Sequence, residues 1–126
     1  MSPELDVYLT RKYPNLYRQR NGTIMETAMC WGFECGDGWF NLIQVASAAI
    51  EELILEMPES SRELYNASQV KEKYGSLRFY MDSETDKMSK IISLAEKQSA
   101  ITCENCGKPG KISGKDWYSC RCKECK

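Results

Sequence analysis

The segment GWFNLIQVASAAIEELILEM at residues 38–57 decides the first element of the fold. Its apolar side chains recur at every third or fourth position, which is the spacing of one face of an α-helix. This stripe consists of Trp39, Leu42, Ile43, Ala46, Ile50, Leu53, Ile54 and Met57. Asp37 is placed to cap the helix N-terminus, and Pro58 ends the pattern. We therefore predict a helix over 38–57 with Ser47 and Glu51 off the buried face.

A second pattern, with a period of two, occupies residues 69–82. Leu77, Phe79 and Met81 alternate with polar neighbours after Gly75, as expected for a half-buried strand. The strand before Gly75 alternates less cleanly, because Glu72 interrupts its apolar set. The two halves together predict an antiparallel β-hairpin.

The same alternation defines a candidate binding face on the hairpin. If Leu77 and Phe79 face the core, Arg78 and Tyr80 must project from the other side. Lys71 and Lys73 join them if Val70 and Tyr74 face inward, which gives the candidate set Lys71, Lys73, Arg78 and Tyr80. Such a strip suits an acidic protein surface or a nucleic acid. A solvated sheet face without a partner is the alternative.

The remaining patterns complete the fold class. Residues 3–13 and 84–100 show helical periodicity, whereas residues 15–37 show no regular period. From residue 103 onward cysteine, glycine and lysine dominate. We predict an α+β core domain of two or three helices with a hairpin at 1–101, followed by a zinc-ribbon module at 102–126.

Four cysteines in this tail have the spacing of a metal site. Cys103, Cys106, Cys122 and Cys125 form the pattern C-x2-C-x15-C-x2-C. Two residues between cysteines allow a tight turn to present both sulfurs to one ion, and two such turns complete a tetrahedron. We therefore predict one Zn²⁺ as cofactor. Four protein thiolates leave no open position for water, so the site is expected to be structural.

Other interpretations of the seven cysteines stay open from sequence. The tail cysteines also suit an iron–sulfur cluster or a redox dithiol, and Cys120 could replace Cys122 as a ligand. Cys30 and Cys35 could form a disulfide or bind a second metal. We expect them instead to be free thiols among aromatic side chains, because cysteine is among the most buried residue types.

Composition narrows the function classes. The 126 residues include no histidine, which excludes histidine-based triads and histidine metal ligands. We find no nucleophile–base pair and expect no enzymatic activity. Lys and Arg number 17 against 18 Asp and Glu, so no global basic field attracts nucleic acid. No secretory leader or membrane-spanning run is recognisable, and we expect a reducing cytoplasm in which cysteine pairs bind metal.

Three motifs together resemble a known family. CGDGW at 35–39, VKEKYGSLRFY at 70–80 and CENCGKPG at 103–110 are similar to motifs of a family of small uncharacterised bacteriophage and prophage proteins. The resemblance spans about residues 5–125. It implies a bacterial host cytoplasm, a zinc-binding tail and a phage accessory role.

The leading functional hypothesis follows from that resemblance. We expect a non-enzymatic protein that binds a bacterial host protein and so inhibits, for example, host defence or transcription machinery. The alternative is a nucleic-acid-binding zinc ribbon that uses the basic hairpin face. Nucleic-acid binding would weaken steeply with salt, which distinguishes the two.

Overall fold

The computed structural model describes all 126 residues and contains three α-helices and two small sheets. The helices are α1 (Pro3–Lys12), α2 (Phe40–Leu55) and α3 (Asp86–Ser99). The strands are β1 (Phe33–Glu34), β2 (Ala67–Lys73), β3 (Ser76–Met81), β4 (Lys111–Ser113) and β5 (Ser119–Arg121). Short 3₁₀ turns cover Arg18–Asn21, Ala28–Trp31, Asp37–Trp39, Glu59–Leu64 and Lys123–Cys125. The predicted α+β class is confirmed.

The hairpin is part of a three-stranded sheet in the order β1-β2-β3. β2 pairs antiparallel with β3 and parallel with β1. The turn between β2 and β3 has positive φ at both central residues, 55° at Tyr74 and 89° at Gly75. This backbone matches the primed turns, whose twist suits the right-handed twist of the flanking strands. Glu72 supports this turn, because its Oε2 accepts a 2.7 Å hydrogen bond from the N–H of Gly75. Tyr74 therefore lies exposed in the turn rather than inward as the alternation predicted.

The core lies between the sheet and the helices and comprises 20 buried residues. The stripe of α2 supplies Ile43, Ala46, Ile50 and Ile54 to it, as the helical period predicted. Leu77 and Phe79 of β3 are buried in the same core. No helix of the chain is both long and apolar enough to cross a membrane.

The N-terminus of α2 differs from the sequence prediction. A 3₁₀ turn at Asp37–Trp39 precedes the helix, and the side chain of Asp37 caps neither element. Its Oδ1 accepts a 2.7 Å hydrogen bond from the backbone N–H of Ser2 instead. Asp37 thus joins α1 to α2, a role that depends on a residue 35 positions away.

Ser47 and Glu51 are buried, although the sequence analysis placed them off the apolar face. The carboxylate of Glu51 accepts hydrogen bonds from the backbone N–H of Leu16, at 2.8 Å, and from the side-chain amide of Asn15, at 2.9 Å. Ser47 Oγ hydrogen-bonds to the hydroxyl of Tyr17. These polar residues of α2 satisfy donors of the irregular segment 15–37 and hold it against the helix.

Candidate functional site

The sulfur atoms of Cys103, Cys106, Cys122 and Cys125 all lie within 4.8 Å of one another. The Sγ atoms of Cys106 and Cys122 are 3.6 Å apart. In a tetrahedral site with metal–sulfur bonds of ~2.3 Å, neighbouring sulfurs are about 3.8 Å apart. The four thiols are therefore arranged to hold one metal ion.

Two turns joined by a short hairpin bring these cysteines together. In the first turn the N–H of Gly107 donates to the carbonyl of Cys103 at 2.9 Å, and Gly107 has a φ of 83°. Only glycine adopts that backbone conformation without strain. The second turn is the 3₁₀ segment Lys123–Cys125, in which the N–H of Cys125 donates to the carbonyl of Cys122. Antiparallel pairing of β4 with β5 places the two turns side by side.

The thiols interact strongly with one another and with the backbone. Burial raises the pKa of Cys103, but backbone N–H groups of the two turns outweigh it and lower that pKa to about 6. A hydrogen bond from the backbone N–H of Lys108 lowers the pKa of Cys106, but desolvation and the three neighbouring thiols together outweigh it and raise that pKa to about 12. The side-chain amide of Asn105 donates to Cys125 Sγ at 3.3 Å. Four thiolates this close require a cation to be stable together.

Cys120 lies outside this cluster. It is fully buried in the core, and its Sγ donates to the carbonyl oxygen of Ala100 at 3.4 Å. Burial raises the pKa of its thiol, which favours the neutral form. Cys120 lies within β5 and packs in the core, whereas Cys122 follows the end of that strand, begins the second turn and joins the four-thiol cluster. The geometry therefore assigns Cys122, and not Cys120, to the four-thiol set.

The loop at residues 35–39 packs directly on the first cysteine turn. The N–H of Gly38 donates to the carbonyl of Glu104 at 2.7 Å, and the N–H of Gly36 donates to the carboxylate of Glu104 at 2.8 Å. A Cβ atom on Gly38 would overlap the carbonyl oxygen of Cys103. Both glycines of this motif are therefore explained by close backbone approach to the metal module.

A third bond ties the module to the core. The indole Nε1 of buried Trp39 donates to the carbonyl oxygen of Thr102 at 2.8 Å. Sequence reasoning assigned Trp39 to the apolar stripe of the predicted helix and found the two glycines only as part of the motif CGDGW. It gave no sign that their partner lies more than 60 positions later in the chain.

Cys30 and Cys35 are free thiols, as expected for cysteines beside aromatic residues. Cys35 is buried and Cys30 is half-buried. Burial raises the pKa of Cys35 to about 12, so its thiol stays protonated near neutral pH. This environment is that of a structural cysteine rather than an activated nucleophile.

The outward face of the hairpin carries the predicted basic strip. In the β2–β3 register Lys71 lies directly opposite Arg78, and Gln69 lies opposite Tyr80. The two ion pairs of the chain are Asp6–Arg20 and Lys108–Glu124, so no cation of the strip belongs to an ion pair. Glu34 of β1 lies opposite Lys71 on the side away from Arg78. Arg78 Nε is buried without a hydrogen-bond partner. Two positive charges thus face each other across β2 and β3.

Lys71, Lys73 and Tyr80 line a concavity of about 570 Å³, whereas Arg78 lies outside it. Its opposite wall comes from residues 19–28 and includes Gln19, Glu26 and Thr27. Asp82 also contributes. The sequence did not predict this wall, because the segment has no period that would place it beside β2.

Lys73 also belongs to an aromatic surface next to this concavity. Together with Tyr74, Trp117 and Tyr118 it lines a second depression of about 330 Å³. Trp117 is 81% exposed and Tyr74 is 67% exposed. The hairpin turn touches the module here, because a Cβ on Gly75 would lie 2.9 Å from a side-chain carbon of Ile112. The module thereby extends the hairpin face with aromatic groups.

Comparisons with protein-family models, with curated proteins and with solved structures found no match to this chain.

Proposed function

We propose that this chain is a non-enzymatic binding protein that presents the outward face of its hairpin to an acidic surface of another protein. The single observation that carries the proposal is the pair Lys71 and Arg78, which lie directly opposite each other and take part in neither ion pair of the chain. Like charges placed directly across two strands reduce stability. A negatively charged partner would relieve this repulsion, and Arg and Tyr are typical anchors of protein interfaces.

The metal in this proposal is Zn²⁺ and its role is structural. Four thiolates are a donor set that Zn²⁺ favours, and they complete its tetrahedral coordination. Zinc would fix both cysteine turns, and through Glu104 it would also fix the loop at 35–39. The same ion would hold Trp117 beside the hairpin turn. Its contribution is therefore to keep the parts of the binding face in one arrangement.

The biological setting of the proposal rests on the resemblance to phage and prophage proteins. We propose that the partner is a bacterial host protein and that binding takes place in the host cytoplasm. Inhibition of a defence or transcription component is the form of activity that a small docking protein without a catalytic site can exert.

The experiment is affinity capture from bacterial lysate followed by binding measurements with the purified partner. The test variant carries Lys71→Glu, Lys73→Glu and Arg78→Glu. A control variant carries Arg11→Glu, Lys97→Glu and Lys126→Glu, which gives the same charge change at exposed positions elsewhere. We expect the test variant to lose binding and the control to keep most of it. Full affinity in the test variant would exclude the hairpin face as the interface.

Nucleic-acid binding is a second candidate, favoured by the aromatic surface. Trp117 and Tyr74 are exposed beside Lys73, and bases stack on such aromatic rings while lysine contacts the phosphate backbone. Nuclease treatment of the lysate and a salt titration separate the candidates. If capture disappears after nuclease treatment and binding falls steeply with salt, the nucleic-acid function replaces the protein-binding one.

A further inference from the structure

An apolar groove runs along the surface between α2 and α3, away from the hairpin face. It has a volume of about 530 Å³, and seven of its nine lining residues are hydrophobic. Val45 and Leu94 stand on its two walls and are 72% and 68% exposed. The small side chains Ala46 and Ala95 lie buried at its base. In a single chain this groove is open to water.

The composition of α2 indicates that a second surface of this helix is covered. Its inward face is buried in the core, yet Leu42, Val45 and Ala49 continue the apolar character around to the groove. A helix that is apolar on most sides is normally buried on more than one of them. Large exposed apolar side chains that lie together mark an interaction site.

Charged residues at one end of the groove identify what covers it. The groove continues beyond Ala49 into a section with Glu52 on α2, Glu56 at its C-terminal end, and Lys87 and Lys90 on α3. None of these four side chains takes part in either ion pair of the chain. One wall is therefore acidic and the other basic, and both lack partners.

We infer that a second copy of this chain covers the groove through a twofold axis that runs along the helix pair. The start of α2 shares the groove with the end of α3, and the end of α2 shares it with the start of α3, so the two helices are antiparallel. A twofold rotation about an axis parallel to the helices places α2 of one copy opposite α3 of the other. It leaves each residue at the same height along the groove. The acidic wall of each copy then faces the basic wall of the other.

The same rotation also brings the apolar ends of the two grooves together. Val45 and Leu94 of one copy insert against the small-residue base of the other, at the level of Ala46 and Ala95. The result is an antiparallel four-helix arrangement with four Glu–Lys pairs at one end, in which every contact occurs twice. A twofold axis perpendicular to the helices would instead place Glu52 and Glu56 over the apolar end. Charge complementarity therefore selects the first arrangement.

The test measures molar mass by light scattering across the micromolar range. We expect the wild-type chain to have twice the 14.5 kDa of one chain. Glu52→Lys with Glu56→Lys makes both walls basic, and Lys87→Glu with Lys90→Glu makes both walls acidic. Each variant alone is expected to lose dimer affinity by at least about tenfold, because like charges then face each other. An equimolar mixture of the two should form a heterodimer, since every contact is again between opposite charges.

The matched control is Glu59→Lys with Glu63→Lys, which makes the same charge change at exposed positions outside the groove. It should remain dimeric. A wild-type chain that stays monomeric, or reversed variants that stay dimeric, would overturn the inference. Monomeric variants that fail to combine when mixed would overturn the proposed twofold arrangement. Because the hairpin face takes no part, these outcomes are independent of the partner-binding test.

Discussion

The backbone N–H of Gly38 donates a 2.7 Å hydrogen bond to the carbonyl oxygen of Glu104, the residue that follows the first metal-site cysteine. This bond joins the 3₁₀ turn before α2 to the cysteine-rich tail across 66 positions of sequence. The four-thiol cluster is therefore connected to the hydrophobic core through the backbone. A substitution on either side of this hydrogen bond should therefore alter the stability of the other side.

Substitution of Gly38 by alanine should weaken both the fold and metal binding. The added Cβ would overlap the backbone oxygen of Cys103, and a backbone atom cannot move aside as a flexible side chain can. We expect a loss of about 2–3 kcal/mol in the free energy of unfolding, measured by denaturant titration. Gly22→Ala is the control, because its Cβ would meet mainly a methyl group of Thr27 at 2.8 Å. Equal effects of the two substitutions would contradict this explanation.

Cys103→Ser should reduce bound zinc to near zero, whereas Cys120→Ser should retain one ion per chain. Cys103 belongs to the four-thiol cluster and Cys120 does not. Elemental analysis of the purified variants gives the stoichiometry directly. If Cys120→Ser loses zinc and Cys122→Ser keeps it, the ligand assignment is wrong.

Chelation tests the division into 1–101 and 102–126, which stays a prediction. Because metal binding supplies the folding free energy of small zinc modules, we expect residues 103–126 to unfold while the helical core persists. The amide of Gly38 should then exchange with solvent faster, since its acceptor on Glu104 is lost. Hydrogen exchange with and without chelator measures both effects. Unchanged protection at Gly38 would show that the loop does not depend on the module.

Glu51→Ala should be strongly destabilising even though it removes a charged residue from a helix. The substitution leaves the buried N–H of Leu16 and the amide of Asn15 without acceptors. Unpaired buried donors cost about 1–3 kcal/mol each, so we expect a loss of about 2–4 kcal/mol. Glu59→Ala, at an exposed position, should change stability by less than about 0.5 kcal/mol. A small effect of Glu51→Ala in thermal or denaturant unfolding would contradict the role assigned to this carboxylate.

Arg78→Glu should raise stability while it lowers affinity for an acidic partner. It converts the repulsive pair with Lys71 into an attractive one, and cross-strand ion pairs contribute roughly 0.2–1 kcal/mol. Lys73 lies opposite Ser76, so Lys73→Glu should leave the free energy of unfolding almost unchanged. Unfolding measurements on both variants, paired with binding assays, check the prediction. A destabilised Arg78→Glu would show that the pair is not repulsive in the folded chain.

Stability should fall as the pH rises above 9, in part because of Cys35. Burial raises the pKa of this thiol from 9.0 to about 12, so the unfolded chain loses its proton before the folded chain does. The stabilisation is complete below pH 9 and is lost progressively toward pH 12, at about 1.4 kcal/mol per pH unit for one group. Cys35→Ala should show a shallower decline between these values. Parallel slopes for the two proteins, both loaded with zinc, would contradict the prediction.

Local patterns predicted the elements whose conformation is set by neighbouring residues. The period of α2 identified Ile43, Ile50 and Ile54 as core residues, and the alternation of β3 identified Leu77 and Phe79. The cysteine spacing identified the four thiols that the structure brings together. In each case the relevant side chains are a few positions apart or follow a motif of fixed geometry.

These local patterns could not predict contacts between segments that are distant in sequence. β1 has only two residues and is a strand because it pairs with β2, 37 positions later. The helical period places Glu51 on the solvent side of α2, yet the irregular segment covers this residue and supplies its hydrogen-bond donors. Only the packed chain shows that these donors are present.

By itself, the sequence determined the helical stripe of α2, the hairpin and the four-thiol set, because each depends on spacing along a short stretch. Only the folded chain shows that Gly36 and Gly38, which carry no Cβ, leave room for the backbone of Cys103 and Glu104. It also placed Lys71 directly opposite Arg78, with neither residue in an ion pair. Such relationships depend on which surfaces the folded chain brings together, and no local period encodes that choice.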